Sequence, residues 1–174
     1  MDDRWDRLFA DLEALATPAL DEDEIPDMVE AERVAVALAD RLAGAVGRHA
    51  DLLTRAGRRL GGTVQEVGPD WVALAAASSL HVVPLVAVRW VAALDGPSRP
   101  SHGAVRASLA AVVRRLARTG LPVVADVDGA VLRGTIVAVG ADHCDLATET
   151  AVLTVPLAVL DGLRVDALSA GWDE

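Results

Sequence analysis

Three stretches of the chain, and a scattered set of arginines, carry residues whose types and spacing suit chemistry. Asp142-His143-Cys144-Asp145 sets an acid, an imidazole, a thiol and a second acid in succession. In an extended chain, neighbouring side chains alternate faces, so His143 and Cys144 point apart and cannot form a nucleophile–base dyad. His143 and Asp145 share a face and could supply two metal ligands, but closed sites use four and no third lies near in sequence. No metal site is expected there. Gly57-Arg58-Arg59-Leu60-Gly61-Gly62-Thr63 has the glycines of a phosphate loop without its lysine or spacing, and no helical pattern follows it. Ser78-Ser79 beside His81 lacks a nucleophile elbow and an orienting acid. No enzyme constellation emerges, so the chain reads as non-enzymatic, with no cofactor.

The remaining chemistry belongs to arginine. All 16 basic residues are Arg, and there is no Lys. Residues 1–40 hold thirteen acids and three Arg, residues 41–118 four acids and eleven Arg, and residues 119–174 nine acids and two Arg. The chain is acidic overall, at -10, around a basic middle. Such a molecule repels polyanions at long range while its middle attracts them locally. Arg55, Arg58 and Arg59 surround one turn, and Arg106, Arg114, Arg115 and Arg118 lie on one face of a patterned helix. If that helix packs beside the turn, seven guanidiniums converge on a surface suited to bidentate phosphate contacts. Trp71, expected to face outward on its strand, would stack a base. This set makes RNA or another nucleic acid one expected partner. The alternative, solvated Arg paired with the chain's own acids, stands beside it.

These residues are positioned by a unit that occurs twice. Gly57, Gly62-Thr63, Val67-Gly68, Asp70, Leu74-Ala75 and Val83-Pro84-Leu85 recur 72 residues later. Their counterparts are Gly129, Gly134-Thr135, Val139-Gly140, Asp142, Leu146-Ala147 and Val155-Pro156-Leu157. Short extended segments separated by turn signals predict five strands per copy. In the first copy they fall at 51–55, 59–67, 71–75, 80–83 and 88–91. Glycine inside a strand marks a bulge or bend. Asp128-Gly129 is a hairpin signal, since both residues tolerate positive φ. The repeat aligns Cys144 with Val72 and Leu146 with Leu74, which places Cys144 in the core as a small hydrophobe.

The resulting organisation is an N-terminal amphipathic helix (1–17), an acidic linker (18–27), a helix plus barrel (28–92), a Pro/Gly/Ser linker (93–102), a second helix plus barrel (103–166) and a tail (167–174). The helical segments are expected over 3–16, 27–46 and 103–119 from their apolar periodicity. The first presents Trp5, Leu8, Phe9 and Leu12 on one face, for packing on a barrel or for anchoring a protein partner. Cys144 is the only cysteine, so no internal disulfide forms and a reducing compartment fits. No apolar segment suits a signal peptide, and the uncharged run Val72 to Val88 contains two Ser, a His and a Pro. A cytoplasmic protein without membrane partners is expected.

These residues resemble the Sm-like (LSm) superfamily of SH3-like small barrels. Asp128-Gly129, Gly134, Ile136 and Val139, with Asp142 and Leu146, are similar to its first signature. Ala56-Gly57, Gly62, Val64, Val67, Asp70 and Leu74 match more loosely. The resemblance covers 28–92 and 103–165. It implies an α+β fold of two five-stranded antiparallel barrels, each preceded by a helix, plus the N-terminal helix. It also implies an RNA-binding regulator, or a protein–protein adaptor or oligomerisation scaffold, a homo-oligomer included, that uses barrel edges. The family's second signature is not visible: Val82-Val83-Pro84-Leu85 and Thr154-Val155-Pro156-Leu157 stand where a basic or aromatic pair belongs. The Ala, Val and Arg bias suits tandem-barrel proteins of high-GC actinobacteria, which the chain also resembles.

Overall fold

The structure is a computed structural model that describes residues 37–92, 94 and 106–166. Helix α1 (Leu38–Ala43) precedes β1 (His49–Thr54), β2 (Arg59–Val67), β3 (Trp71–Ala76), β4 (Ser79–Pro84) and β5 (Val88–Ala92). Helix α2 (Leu109–Thr119) precedes β6 (Pro122–Val127), β7 (Ala130–Val139), β8 (His143–Ala147), β9 (Val152–Pro156) and β10 (Leu160–Asp166). One turn of 3-10 helix links the last two strands of each copy, at Leu85–Ala87 and Leu157–Val159.

The duplicated residues do the same work twice. Gly57 and Gly129 turn at φ of 81° and 84°, and Asp128 joins Gly129 at positive φ in the β6–β7 hairpin. A Cβ on Gly62 or Gly134 would run into the carbonyl of Ala75 or Ala147 on the next strand. A Cβ on Gly68 or Gly140 would strike the ring of Trp71 or His143. The register breaks between Val64 and Glu66 and between Ile136 and Ala138 coincide as well, and each adds local twist. Pro84 and Pro156 enter the 3-10 turns at φ of -60° and -62°. The next amides, Leu85 and Leu157, donate to the carbonyls of Asp70 and Asp142.

The strands lie where the spacing put them, but their assembly differs from the expectation of two separate five-stranded barrels. All ten form one antiparallel sheet in the order β5-β1-β2-β3-β4-β10-β6-β7-β8-β9. The first copy does not close on itself, because the free edge of β4 takes β10 instead of β5. Val82 faces Leu163, His81 faces Arg164, and Leu80 faces Val165. Leu163, Arg164 and Val165 of β10 pair with β4 on one edge and with β6 on the other, so the strand joins the two copies. Among the described residues the helices are also shorter than expected. Among the described residues there are two, α1 within the 27–46 segment and α2 starting at Leu109 rather than 103. The N-terminal helix and the acidic linker lie outside the described residues.

Helix α2 explains why β3 is buried on both faces. Val72 and Leu74 join Leu42 of α1, Leu52 and Val64 in one core cluster. Trp71 and Ala73, on the opposite face, pack with Leu80, Val82 and the apolar stripe Leu109, Val112, Val113 and Leu116 of α2. That stripe also covers Ile136, Cys144 and Leu146 of the second copy, so the helix sits in a core shared by both. Ser108 occupies the N-cap of α2 without capping it. The cap comes from the first copy: the Leu109 amide donates to Asp70 Oδ1 at 2.9 Å, and Trp71 Nε1 donates to the Ala107 carbonyl at 2.8 Å. Replacing Asp70 by Ala is expected to cost about 1 kcal/mol, as for other caps, and Asp70→Asn much less. Denaturant unfolding of the two variants checks this, and equal losses would contradict the assignment.

Candidate functional site

The structure gives five of the seven candidate arginines contacts within the protein. Arg55 Nε donates to Asp161 Oδ1 at 2.6 Å, and its Nη2 to the Ala158 carbonyl at 3.0 Å. Arg58 Nη2 lies 2.7 Å from Asp126 Oδ1, an ionic contact without the angle of a hydrogen bond. Arg59 rests over the Trp90 ring, 5.3 Å from its centroid. Arg114 donates to the Gly140 carbonyl in the β7–β8 turn, and Arg115 pairs with Glu66 on β2 at 3.2 Å. Arg106 and Arg118 are exposed. Trp71 is no stacking platform. It is fully buried, because α2 covers the face of β3 that alternation turns away from the first core.

Asp161 and Asp126 are the residues that sequence reasoning missed. Asp161 is 1% exposed, and it accepts from Arg55 of the first copy and from the Gly129 amide of the second. Together the two acids tie the β1–β2 turn of one copy to β10 and β6 of the other. The repeat held the clue. Asp161 stands where the first copy has Arg89, Asp126 where it has Thr54, and the arginines have Val127 and Ala130 as counterparts. A charge pair present in one register and absent from the other marks a contact made between the copies.

The same seam holds His81. Burial first, then the guanidiniums of Arg164 and Arg58, keep its imidazole below the ordinary value, against the opposing pull of Asp166. Its Nε2 lies 3.1 Å from Ser79 Oγ, which donates to the Ala76 carbonyl. Burial raises the Asp126 carboxyl, with Asp161 adding to the effect and Arg58 opposing it. Arg164 Nε is buried without a hydrogen-bond partner. Among the described residues no acid hydrogen-bonds to His81 to orient it toward Ser79, as the third member of a hydrolytic triad would.

Elsewhere the polar candidates are engaged. His143 Nδ1 lies 2.8 Å from Asp142 Oδ1, and this hydrogen bond holds the exposed Asp142 carboxyl below its ordinary value. Thr154 Oγ1 donates to Asp145 Oδ1 at 2.7 Å. Cys144 is buried, and burial raises its thiol. Among the described residues, no cluster of three His, Cys, Asp or Glu could hold a metal. No described helix is long and apolar enough to cross a membrane. A cleft of about 530 Å³ lies where the equivalent turns meet, lined by Asp70, Pro84, Leu85, Leu109, Asp142 and Leu157 among others. Among the described residues no arginine lines it, and Asp70 and Asp142 make its lining acidic.

The two ends of the sheet remain. Among the described residues, β5 pairs only with β1, and β9 only with β8. Each therefore presents one row of backbone donors and acceptors without a strand partner. Natural edges are usually blunted by lysine or other charges. Strand β9, Val152-Leu153-Thr154-Val155-Pro156, carries none. Val152 is 62% and Leu153 37% exposed, and Trp90 on β5 is 39% exposed. The comparison with protein-family models finds no match, and neither does the comparison with curated proteins.

Two outcomes follow from the seam. Arg55→Ala leaves the Asp161 carboxylate buried with a single amide donor and is expected to cost about 2–4 kcal/mol. A loss under about 0.5 kcal/mol in chemical unfolding would show the pair to be incidental. Unfolded His81 takes up a proton near pH 6.5, whereas folded His81 resists until lower pH. The unfolded state then binds more protons, so this group removes stability as pH falls through 6.5. The wild-type urea midpoint is expected to drop from pH 7.5 to 5.5 by more than that of His81→Gln, and an equal drop would contradict the assignment.

Proposed function

We propose that the chain is a protein-interaction module that works through the open edges of its sheet. Strand addition supplies affinity through main-chain hydrogen bonds, and exposed side chains of alternate residues supply specificity. The observation that carries this reading is β9. It is an uncharged edge strand with Val152 62% exposed at the end of a ten-stranded sheet. The face of α2 that bears Arg114 and Arg115 is not free for phosphate, since those side chains hold Gly140 and Glu66. Arg55 and Arg58 are spent on Asp161 and Asp126. Of the seven candidate arginines this leaves Arg106 and Arg118 exposed without a contact among the described residues, too few charges for tight binding by counterion release.

The full chain is expected to retain protein partners in pull-down that Val152→Lys in β9 or Trp90→Lys in β5 loses. Both residues are exposed, so the variants should keep the wild-type melting temperature. Partners retained by both variants would contradict the reading. So would tight binding of a short single-stranded RNA that falls steeply between about 50 and 200 mM salt, as counterion release at several phosphate contacts requires, and disappears in Arg106→Ala/Arg118→Ala.

A further inference from the structure

Independently of the sheet edges, we propose that the second copy carries a binding site for the dianionic phosphoryl group of a phosphomonoester, between Arg164 of β10 and Arg133 of β7. The site is read from one row across the sheet. Arg164 faces Val124 of β6, and Val124 faces Arg133. Residues paired in this way project from the same face. Their neighbours Leu163, Ala125 and Leu132 turn the other way, into the core that α2 lines. The row therefore lies on the side of the sheet away from the helix, with Val124 half-buried and Arg133 exposed.

The two guanidiniums can serve one ligand. Strand spacing sets the backbones of β10 and β7 about 10 Å apart. Arginine stems are long enough to close that gap above the short side chain of Val124. Among the described residues no hydrogen bond or ion pair holds Arg133 or Arg164, and Arg164 Nε is buried without an acceptor. Two acids share the face. Asp126 is held by Arg58 at 2.7 Å, and Asp166 is exposed two residues beyond Arg164. Arg58, Arg133 and Arg164 outnumber them, so the face stays positive. His81 faces Arg164 across the seam, but its Nε2 is turned to Ser79. Two guanidiniums that meet over one group call for a double negative charge and several acceptor oxygens. A phosphomonoester has both, whereas a phosphodiester or a single carboxylate carries one charge.

The first copy shows that the fold does not need these arginines. There the same row is Ala92, Asp51 and Gly61. An acid stands between two small residues where the second copy sets a valine between two arginines. A requirement of the scaffold would recur with the repeat, as the strand glycines do. These are also the only two Arg of residues 119–174, a segment that holds nine acids, and the sheet brings both to one place.

Calorimetric titration of the full chain with methyl phosphate tests this, at fixed ionic strength and about pH 8, where the ester is a dianion. Saturable one-to-one binding is expected. Arg133→Gln is expected to weaken it about tenfold or more, and the exposed position should leave the melting temperature unchanged. Val124→Asp, which restores the acid of the first copy, is expected to weaken it at least as much, and Arg41→Gln on α1 to change nothing. Dimethyl phosphate, with one charge, is expected to bind about tenfold more weakly than the monoester. No saturable binding, or binding that Arg133→Gln leaves intact, would overturn the site. Equal binding of the diester would overturn the convergence of both arginines on one dianion. A phosphoserine peptide that binds more tightly than methyl phosphate would support the site with a phosphorylated protein as its source. One that binds no more tightly would support it with a small phosphorylated molecule.

Discussion

In the ladder between β4 and β10, Leu80, His81 and Val82 of one copy face Val165, Arg164 and Leu163 of the other. A strand edge is a row of backbone groups that must find partners or water. By giving the edge of β4 to β10, the chain makes one sheet from two repeated units. This places α2 in a core that both copies line, and it buries Trp71 against the helix. It also sets the arginines of the β1–β2 turn against Asp161 and Asp126. The ladder supplies the pairing, and the charge pairs fix which copy meets which.

That division of labour separates what was legible in the sequence from what was not. Strand positions were legible because they depend on local sterics. A glycine whose Cβ would strike a neighbouring carbonyl, and a proline that opens a 3-10 turn, are visible one residue at a time and recur 72 residues on. The inward placement of Cys144 was legible for the same reason, through its alignment with Val72. Sheet closure was legible only in the differences between the copies, since the backbone groups of β4 bond to β10 as readily as to β5 and only the Arg55–Asp161 and Arg58–Asp126 pairs record the choice.

The burial of Trp71 had a signal in the differences between the copies rather than in their likeness. Trp71, Ala73, Leu80 and Val82 form an apolar outer face, where the second copy has His143, Asp145, Val152 and Thr154. Alternation correctly turned Trp71 away from the first core. It could not show that a helix from the next copy covers that side, because such a contact is non-local. The partners of the arginines were illegible for a related reason. Spacing put the guanidiniums near one another in sequence, but Asp161 and Asp126 lie far along the chain and reach them only through the joined sheet.

Native-state hydrogen exchange of the seam amides tests the joined sheet most directly. The amides of β4 and β10 that bridge the copies are expected to exchange as slowly as those between β2 and β3, through global unfolding alone. Seam amides that exchange as fast as those on the free edges of β5 and β9, while each copy keeps its own protection, would show two units lying side by side and contradict a single sheet.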